Sequence, residues 1–125
     1  MRFIVCGSRD WPDNEAIRRC IEELAQTCPG AVIMHGDAPG ADRAAAKAAQ
    51  SAGLMVEAYP ADWQQHGKAA GVLRNSKMLA IGLSRGAPLS VLAFHRNNSP
   101  GTADMIARAR RAHVPVVVYA WEPKP

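Results

Sequence analysis

Five short apolar runs alternate with four helix-like segments along this chain, and that alternation leaves few folds open. The runs are Phe3–Cys6, Ala31–Met34, Leu54–Ala58, Leu89–Phe94 and Val114–Tyr119. Each is rich in β-branched or other apolar residues with little polar alternation. That pattern suits strands covered on both faces, as in a parallel sheet. Helices between successive strands supply the crossovers that parallel pairing needs, in right-handed βαβ units. The expectation is an α/β fold: an open three-layer arrangement with a five-stranded, mainly parallel sheet and about four helices.

The helical segments carry their own punctuation. The first spans about Asp13 to Cys28, with Ile17, Cys20, Ile21, Leu24 and Cys28 on one face. Pro12 and Asp13 suit its start, and Pro29-Gly30 stops it. The second runs from about Gly40 to Ser51, nearly all alanine, with Gly53 as its stop. The third spans about Gly67 to Ile81, with Val72, Leu73 and Leu79 in its core stripe. The fourth spans about Gly101 to Ala112, with Pro115 just beyond. Residues 121–125 read as a loose tail, and 1–125 as one domain.

At 125 residues and 48% apolar, the chain can bury a core and is not disordered. No apolar run approaches the roughly 20 residues of a membrane span, and the start from Met1 to Gly7 reads as a first strand, not a signal segment. Cys6, Cys20 and Cys28 form neither a disulfide framework nor a zinc pattern, which favours a reducing, cytoplasmic setting. The net charge of +4 owes much to Arg108-Ala109-Arg110-Arg111. This cluster is either a solvated helix face or an attraction for phosphate-bearing partners.

Ligands of open α/β sheets bind beyond the carboxyl ends of the strands, so the loops there are the candidate site. After the first strand, Gly7 permits close backbone approach, Ser8 offers a hydroxyl, and Arg9 a planar fork suited to phosphate. Trp11 is either a stacking surface for a base or a plug beside the first helix. After the second strand comes His35-Gly36-Asp37-Ala38-Pro39-Gly40-Ala41-Asp42. Gly36 and Gly40 suit a tight turn, and Asp42 falls in a helix's first turn, where the macrodipole favours it. Asp37 is placed to bind ribose or to act as general acid or base near the sheet's switch point; a plain turn residue is the alternative. His35 is either part of the site or a packed histidine donating to backbone. Lys68, Arg74 and Asn75 mark a third candidate, directing a cation and an amide at phosphate or at a neighbouring subunit. Ser99-Pro100-Gly101-Thr102 opens the last helix as a phosphate cradle, an N-cap, or both. There is no GxxxxGK[ST], no GxGxxG after the first strand and no GxSxG. No cofactor and no metal are implied.

Taken in order, Gly7-Ser8-Arg9, the His35–Asp42 loop, the stretch from Tyr59-Pro60-Ala61-Asp62-Trp63 to Gly67-Lys68-Ala69-Ala70-Gly71, Arg74-Asn75 with Met78, and Gly101-Thr102 resemble the YspA/YpsA-related branch of the SLOG superfamily. The resemblance runs over nearly the whole chain. It implies a compact Rossmann-like domain that binds a nucleotide or nucleotide-derived ligand, as sensor or sequestering protein, and that assembles as a homo-oligomer. Relatives include the LOG phosphoribohydrolases, which cleave the N-glycosidic bond of nucleoside monophosphates, and the DNA-processing protein DprA. LOG-type enzymes carry PGGxGTxxE ahead of the matching helix. Here Met105 stands where that glutamate falls, with Asp104 one position earlier. The phosphate site therefore carries over better than the catalytic machinery. Gly7, Ser8, Arg9, Gly101 and Thr102 are expected to hold phosphate, and Asp37 and Asp42 ribose. If the chain is an N-glycosidic hydrolase, Asp37 and Asp42 are its acid and base. Nucleic-acid binding of the DprA kind is a further alternative, disfavoured by the few aromatics.

Overall fold

In the computed structural model, which describes residues 1–121, five strands form one all-parallel sheet. The strands are β1 (Arg2–Gly7), β2 (Val32–His35), β3 (Met55–Ala58), β4 (Leu89–His95) and β5 (Val116–Ala120), in the order β3-β2-β1-β4-β5. Pairing is parallel throughout, where the sequence led us to expect a mainly parallel sheet. The long helices are α1 (Asn14–Thr27), α2 (Ala41–Ser51), α4 (Ala70–Ser84) and α5 (Pro100–Arg111).

A short helix, α3 (Trp63–His66), and a 3-10 turn (Gly67–Ala69) occupy a stretch whose first half reads as loop in the sequence. The Asp62 carboxylate caps α3 by accepting from the Gln65 N–H at 3.0 Å. Asp62-Trp63-Gln64-Gln65 is a capping-box spacing, so the signal for this helix was in the sequence. α4 begins at Ala70 and runs three residues past Ile81. The segments of the tail from Glu122 to Pro125 lie outside the described residues. Trp121, which the sequence placed in a loose tail, packs against the core, with the Arg96 guanidinium 4.5 Å over its ring.

Both faces of the central strands are covered. Phe3, Val5, Leu92 and Phe94 meet α1 and α2 through Ile17, Ile21, Ala45 and Ala49. Ile4, Cys6, Val91 and Ala93 meet α4 and α5 through Met78, Leu79, Met105 and Ala109. Continuous apolar strands are thus the sequence's record of two cores sharing one sheet. The alanines of α2 let it lie close on the sheet, and the Asp13 carboxylate starts α1 by accepting from the Ala16 N–H at 3.1 Å.

The chain winds outward from β1 in both directions. The helices therefore leave the sheet on opposite faces on either side of the β1–β4 boundary, which opens a crevice at the carboxyl ends of those strands. Gly7 closes β1 there. A Cβ on Gly7 would overlap the Ala41 Cβ and come within 2.8 Å of the Phe94 carbonyl oxygen. The space that glycine leaves is filled by protein, so Gly7 serves the packing of α2 on the sheet and leaves only its backbone to the crevice.

Gly7→Ala is expected to lower unfolding free energy by about 1–3 kcal/mol through overpacking, read as a lower urea midpoint. Adding Ala41→Gly should restore only part of the loss, because the Phe94 carbonyl remains. Full restoration would show that this carbonyl contact is immaterial.

Candidate functional site

The crevice between β1 and β4 is a cleft of about 400 Å³. Of the fifteen residues singled out in the sequence, Gly7, Arg9, Asp42, Arg74, Asn75, Ser99, Gly101 and Thr102 line it. A second hollow of about 330 Å³ adjoins it and shares Arg9, Ala38, Trp63 and Arg74 as a common wall. Gly36 and Asp37 line that second hollow and not the main cleft.

Other candidates do not line the main cleft. Ser8 is fully buried, and its hydroxyl brackets the backbone of Arg96: it donates to the Arg96 carbonyl at 2.9 Å and accepts from the Arg96 N–H at 2.8 Å. The hydroxyl expected to meet phosphate instead ties the loop after β1 to the loop after β4. Trp11 lies in the core, edge-on to Phe94 at 5.4 Å, with its indole N–H on the Asp13 carbonyl at 2.9 Å. It is the plug beside the first helix and does not line the cleft. His35 is packed, with Nδ1 accepting from the Asp37 N–H at 3.0 Å where a donor was expected, and burial holds its pKa down. Gly40 takes φ +84° and presses on the Arg9 backbone as the residue that starts α2. Lys68 is exposed in the 3-10 turn and does not line the cleft. Asp37 sits in the left-handed region at φ +56°, beside Arg43 at 3.5 Å, and faces the second hollow, not the main cleft.

Arg74 is held in place by its surroundings. Its Nη1 donates to the Gly36 carbonyl, and its Nε donates to the Asn75 Oδ1 at 2.9 Å. A Cβ at position 36 would strike the guanidinium, so Gly36 is the opening through which Arg74 reaches both hollows. Asn75 then donates from Nδ2 to the Gly101 carbonyl at 3.1 Å and to Asp104 Oδ2 at 3.0 Å. One side-chain chain thus links the β2 loop, α4 and the start of α5.

Ser99 occupies the position before α5 but makes no capping hydrogen bond; the Thr102 hydroxyl donates to Ser99 Oγ at 3.4 Å. The first turn of a helix has N–H groups without intrahelical acceptors. At α5 these belong to residues that line the cleft. A Cβ added to Gly101 would meet nothing within 4 Å. Arg108, Arg110 and Arg111 sit in the last turn of α5, where cations suit the dipole. They are roughly 12–17 Å from the cleft end at 1.5 Å rise per residue, and Arg108 is paired with Asp104 at 2.9 Å.

Sequence reasoning missed Cys6, Asp10, Ala38, Trp63, Arg96 and Asn97 as lining residues. Arg96 donates to the Asp10 carbonyl at 2.9 Å and reaches its carboxylate at 3.3 Å; the Asn97 amide meets the same carboxylate at 3.1 Å. Asn97 and Asn98 both take positive φ, and an Asn-Asn pair is a turn signal that was available. Cys6 lies at the cleft floor, where burial pushes its thiol pKa up.

Asp42 is the chemically unusual group. It is 4% exposed, and its Oδ2 accepts from the Gly36 N–H at 3.0 Å and the Ala38 N–H at 3.4 Å. Burial outweighs these bonds and the nearby Arg74 charge, and the carboxyl is pushed up to about 6. Among the described residues no group of three His, Cys, Asp or Glu could hold a metal ion, and no helix is long and apolar enough to cross a membrane.

The model of the YspA, cpYpsA-related SLOG family matches residues 1–66, just over half of the chain. The Gene 61 protein of Mycobacterium phage D29 is 34% identical over 128 residues, covering 98% of this chain and 98% of that protein. The chain belongs to the YspA, cpYpsA-related SLOG family. The X-ray structure of TM1055 is similar with a TM-score of 0.62 at 21% identity, over 93% of this chain and 72% of that one. At that identity the likeness shows the Rossmann-like fold alone. In this SLOG chain the position of the LOG glutamate is Met105, fully buried between α5 and the sheet. Asp104 beside it is engaged by Asn75 and Arg108.

Because the folded Asp42 carboxyl keeps its proton to higher pH than the unfolded one, the native chain binds more protons between about pH 4 and pH 6. Its contribution to stability therefore falls as pH rises through that window and is level above it. The total is on the order of 3 kcal/mol. Asp42→Asn keeps an acceptor for the two N–H groups and carries no charge. It is expected to match wild type near pH 4 and exceed it from about pH 6 upward, in urea denaturation at stepped pH. A gap that does not change with pH would contradict this assignment.

Proposed function

We propose that the cleft binds a nucleotide or nucleotide-derived ligand, with a phosphoryl group on the N-terminus of α5. The observation that carries the reading is the first turn of α5, which opens into the switch-point cleft with no side-chain cap. Such a terminus presents N–H groups and a positive dipole end to an anion. Arg74 adds a fixed cation to the same cleft, and Asn75 holds α4 against the Gly101 carbonyl. With Oδ2 of Asp42 engaged by the loop, its Oδ1 is the atom assigned to a ribose hydroxyl. Family membership favours nucleotide-related chemistry over the other ligands such a crevice takes.

Gly101→Asp tests the assignment without unfolding the chain. The added carboxylate meets no protein atom at its Cβ and sits in a first turn, where acids are favoured. It also places a negative charge where the phosphoryl group is assigned. Titration calorimetry against AMP, ADP-ribose, NAD and cyclic nucleotides is expected to show binding to wild type. Affinity in the variant should fall at least about tenfold, with an unchanged or slightly higher melting temperature. Equal affinity in the two proteins would remove α5 from the site.

One observation favours a second reading, N-glycosidic hydrolysis: Asp42 holds a proton up to about pH 6 at the cleft wall. In that reaction the Asp42 carboxyl protonates the departing base, water attacks the ribose anomeric carbon, and the water's proton returns to the carboxylate. Base and ribose 5-phosphate are the products of a nucleoside monophosphate. The buried Met105 weighs against chemistry of the LOG kind. Chromatography after incubation with nucleoside monophosphates is expected, on this reading, to show free base at a rate that falls above pH 6 and is lost in Asp42→Asn. No release at any pH leaves the protein a binding protein.

A further inference from the structure

Trp63 is an exposed indole at the junction of the two hollows. It is 51% exposed, yet it is not loosely held. It opens α3, whose first turn is capped by Asp62. Its ring edge lies against Gly71 of α4, where a Cβ would come to 3.5 Å from Cη2. A helix cap on one side and a glycine on the other bracket the ring while leaving about half of the residue open to solvent. The Arg9 guanidinium stands over the ring, with Cζ 6.0 Å from the ring centroid. This is the outer limit of a cation–π contact. Arg9 and Trp63 both line the main cleft and the second hollow.

A planar ring seated between an indole and a guanidinium needs two contact distances of about 3.5 Å each, or about 7 Å in all. The Arg9 Cζ, 6.0 Å from the ring centroid, stands at a distance comparable to that opening, on an exposed side chain that can shift. We propose that Trp63 and Arg9 form a clamp for the base of the bound nucleotide, with its phosphoryl group in the main cleft. Aromatic rings and arginine planes are the two surfaces on which unpaired bases stack. The proposal rests on the phosphate reading above and adds which end of the ligand is read, and by which residues. It also moves Arg9 from phosphate, where the sequence placed it, to the base.

The test uses two probes, AMP and ribose 5-phosphate, which differ by the base alone. Wild type is expected to bind AMP at least about tenfold more tightly, the value of one stacked base, with a change in tryptophan emission for AMP and none for ribose 5-phosphate. Trp63→Ala should erase most of the preference and leave ribose 5-phosphate affinity unchanged. Trp63→Phe should keep part of the preference and lose the emission change, since neither Trp11 nor Trp121 lines the cleft or the second hollow. Arg9→Lys, which retains charge but not the plane, should narrow the preference as well. If both probes bind wild type equally, or Trp63→Ala weakens both alike, the clamp is overturned and the phosphate site stands. If neither binds wild type, both are overturned.

Discussion

The reversal of winding at β1 is the constraint from which the site follows. β1 is central, and its neighbours β2 and β4 are reached by crossovers on opposite faces of the sheet. The helices must part where those faces meet, and backbone at the carboxyl ends of β1 and β4 is left without a covering layer. Two contacts make that exposed seam stable. Gly7 lets the start of α2 close on β1, and the Ser8 hydroxyl satisfies both backbone groups of Arg96 across the seam. A buried hydroxyl that donates and accepts at once pairs the Arg96 N–H and carbonyl where two loops must meet, while the Arg96 Nε and the His95 Nε2 nearby are buried without a partner. Ser8 therefore builds the cleft without lining it.

Around that seam, charge is arranged by burial more than by count. Asp42 enters α2 as a first-turn acid, but its side chain folds back to hold the loop it follows through Gly36 and Ala38. Desolvation there exceeds what two N–H bonds and Arg74 return, so the carboxyl is poised near neutral pH. Arg74 reaches the same place only because Gly36 has no side chain. The Asp42, Gly36 and Arg74 group spans the second loop and α4, and its parts explain one another: the glycine for the arginine, the carboxylate for the glycine's N–H.

Much of the fold was legible because its signals are local. The apolar runs marked all five strands, with shifts of a residue or two at their ends. Asp13, Gly53 and Pro100 marked helix limits through chemistry that acts within a few residues. Only α3 was passed over, although the Asp62 to Gln65 spacing announces it. The site was legible as a set of loops, because topology alone brings loops after parallel strands to one edge. Roles within the loops were less so. Ser8, Trp11, His35 and Gly40 have the residue types of ligand-binding positions and are consumed by packing and backbone satisfaction. Trp63 and Arg96 received no such assignment and line the cleft.

Sequence alone determined the α/β class, the strand and helix order, the edge where the loops gather and, through short motifs in a particular order, the SLOG family. These depend on periodicity, on turn chemistry and on spacing, all of which are one-dimensional. Which side chains face the cleft was decided only by tertiary structure. That choice turns on partners 88 residues apart for Ser8 and 38 residues apart for Arg74. It turns also on whether a polar atom meets protein or open space. A buried hydroxyl and a free one are the same letter, and only the folded chain distinguishes them.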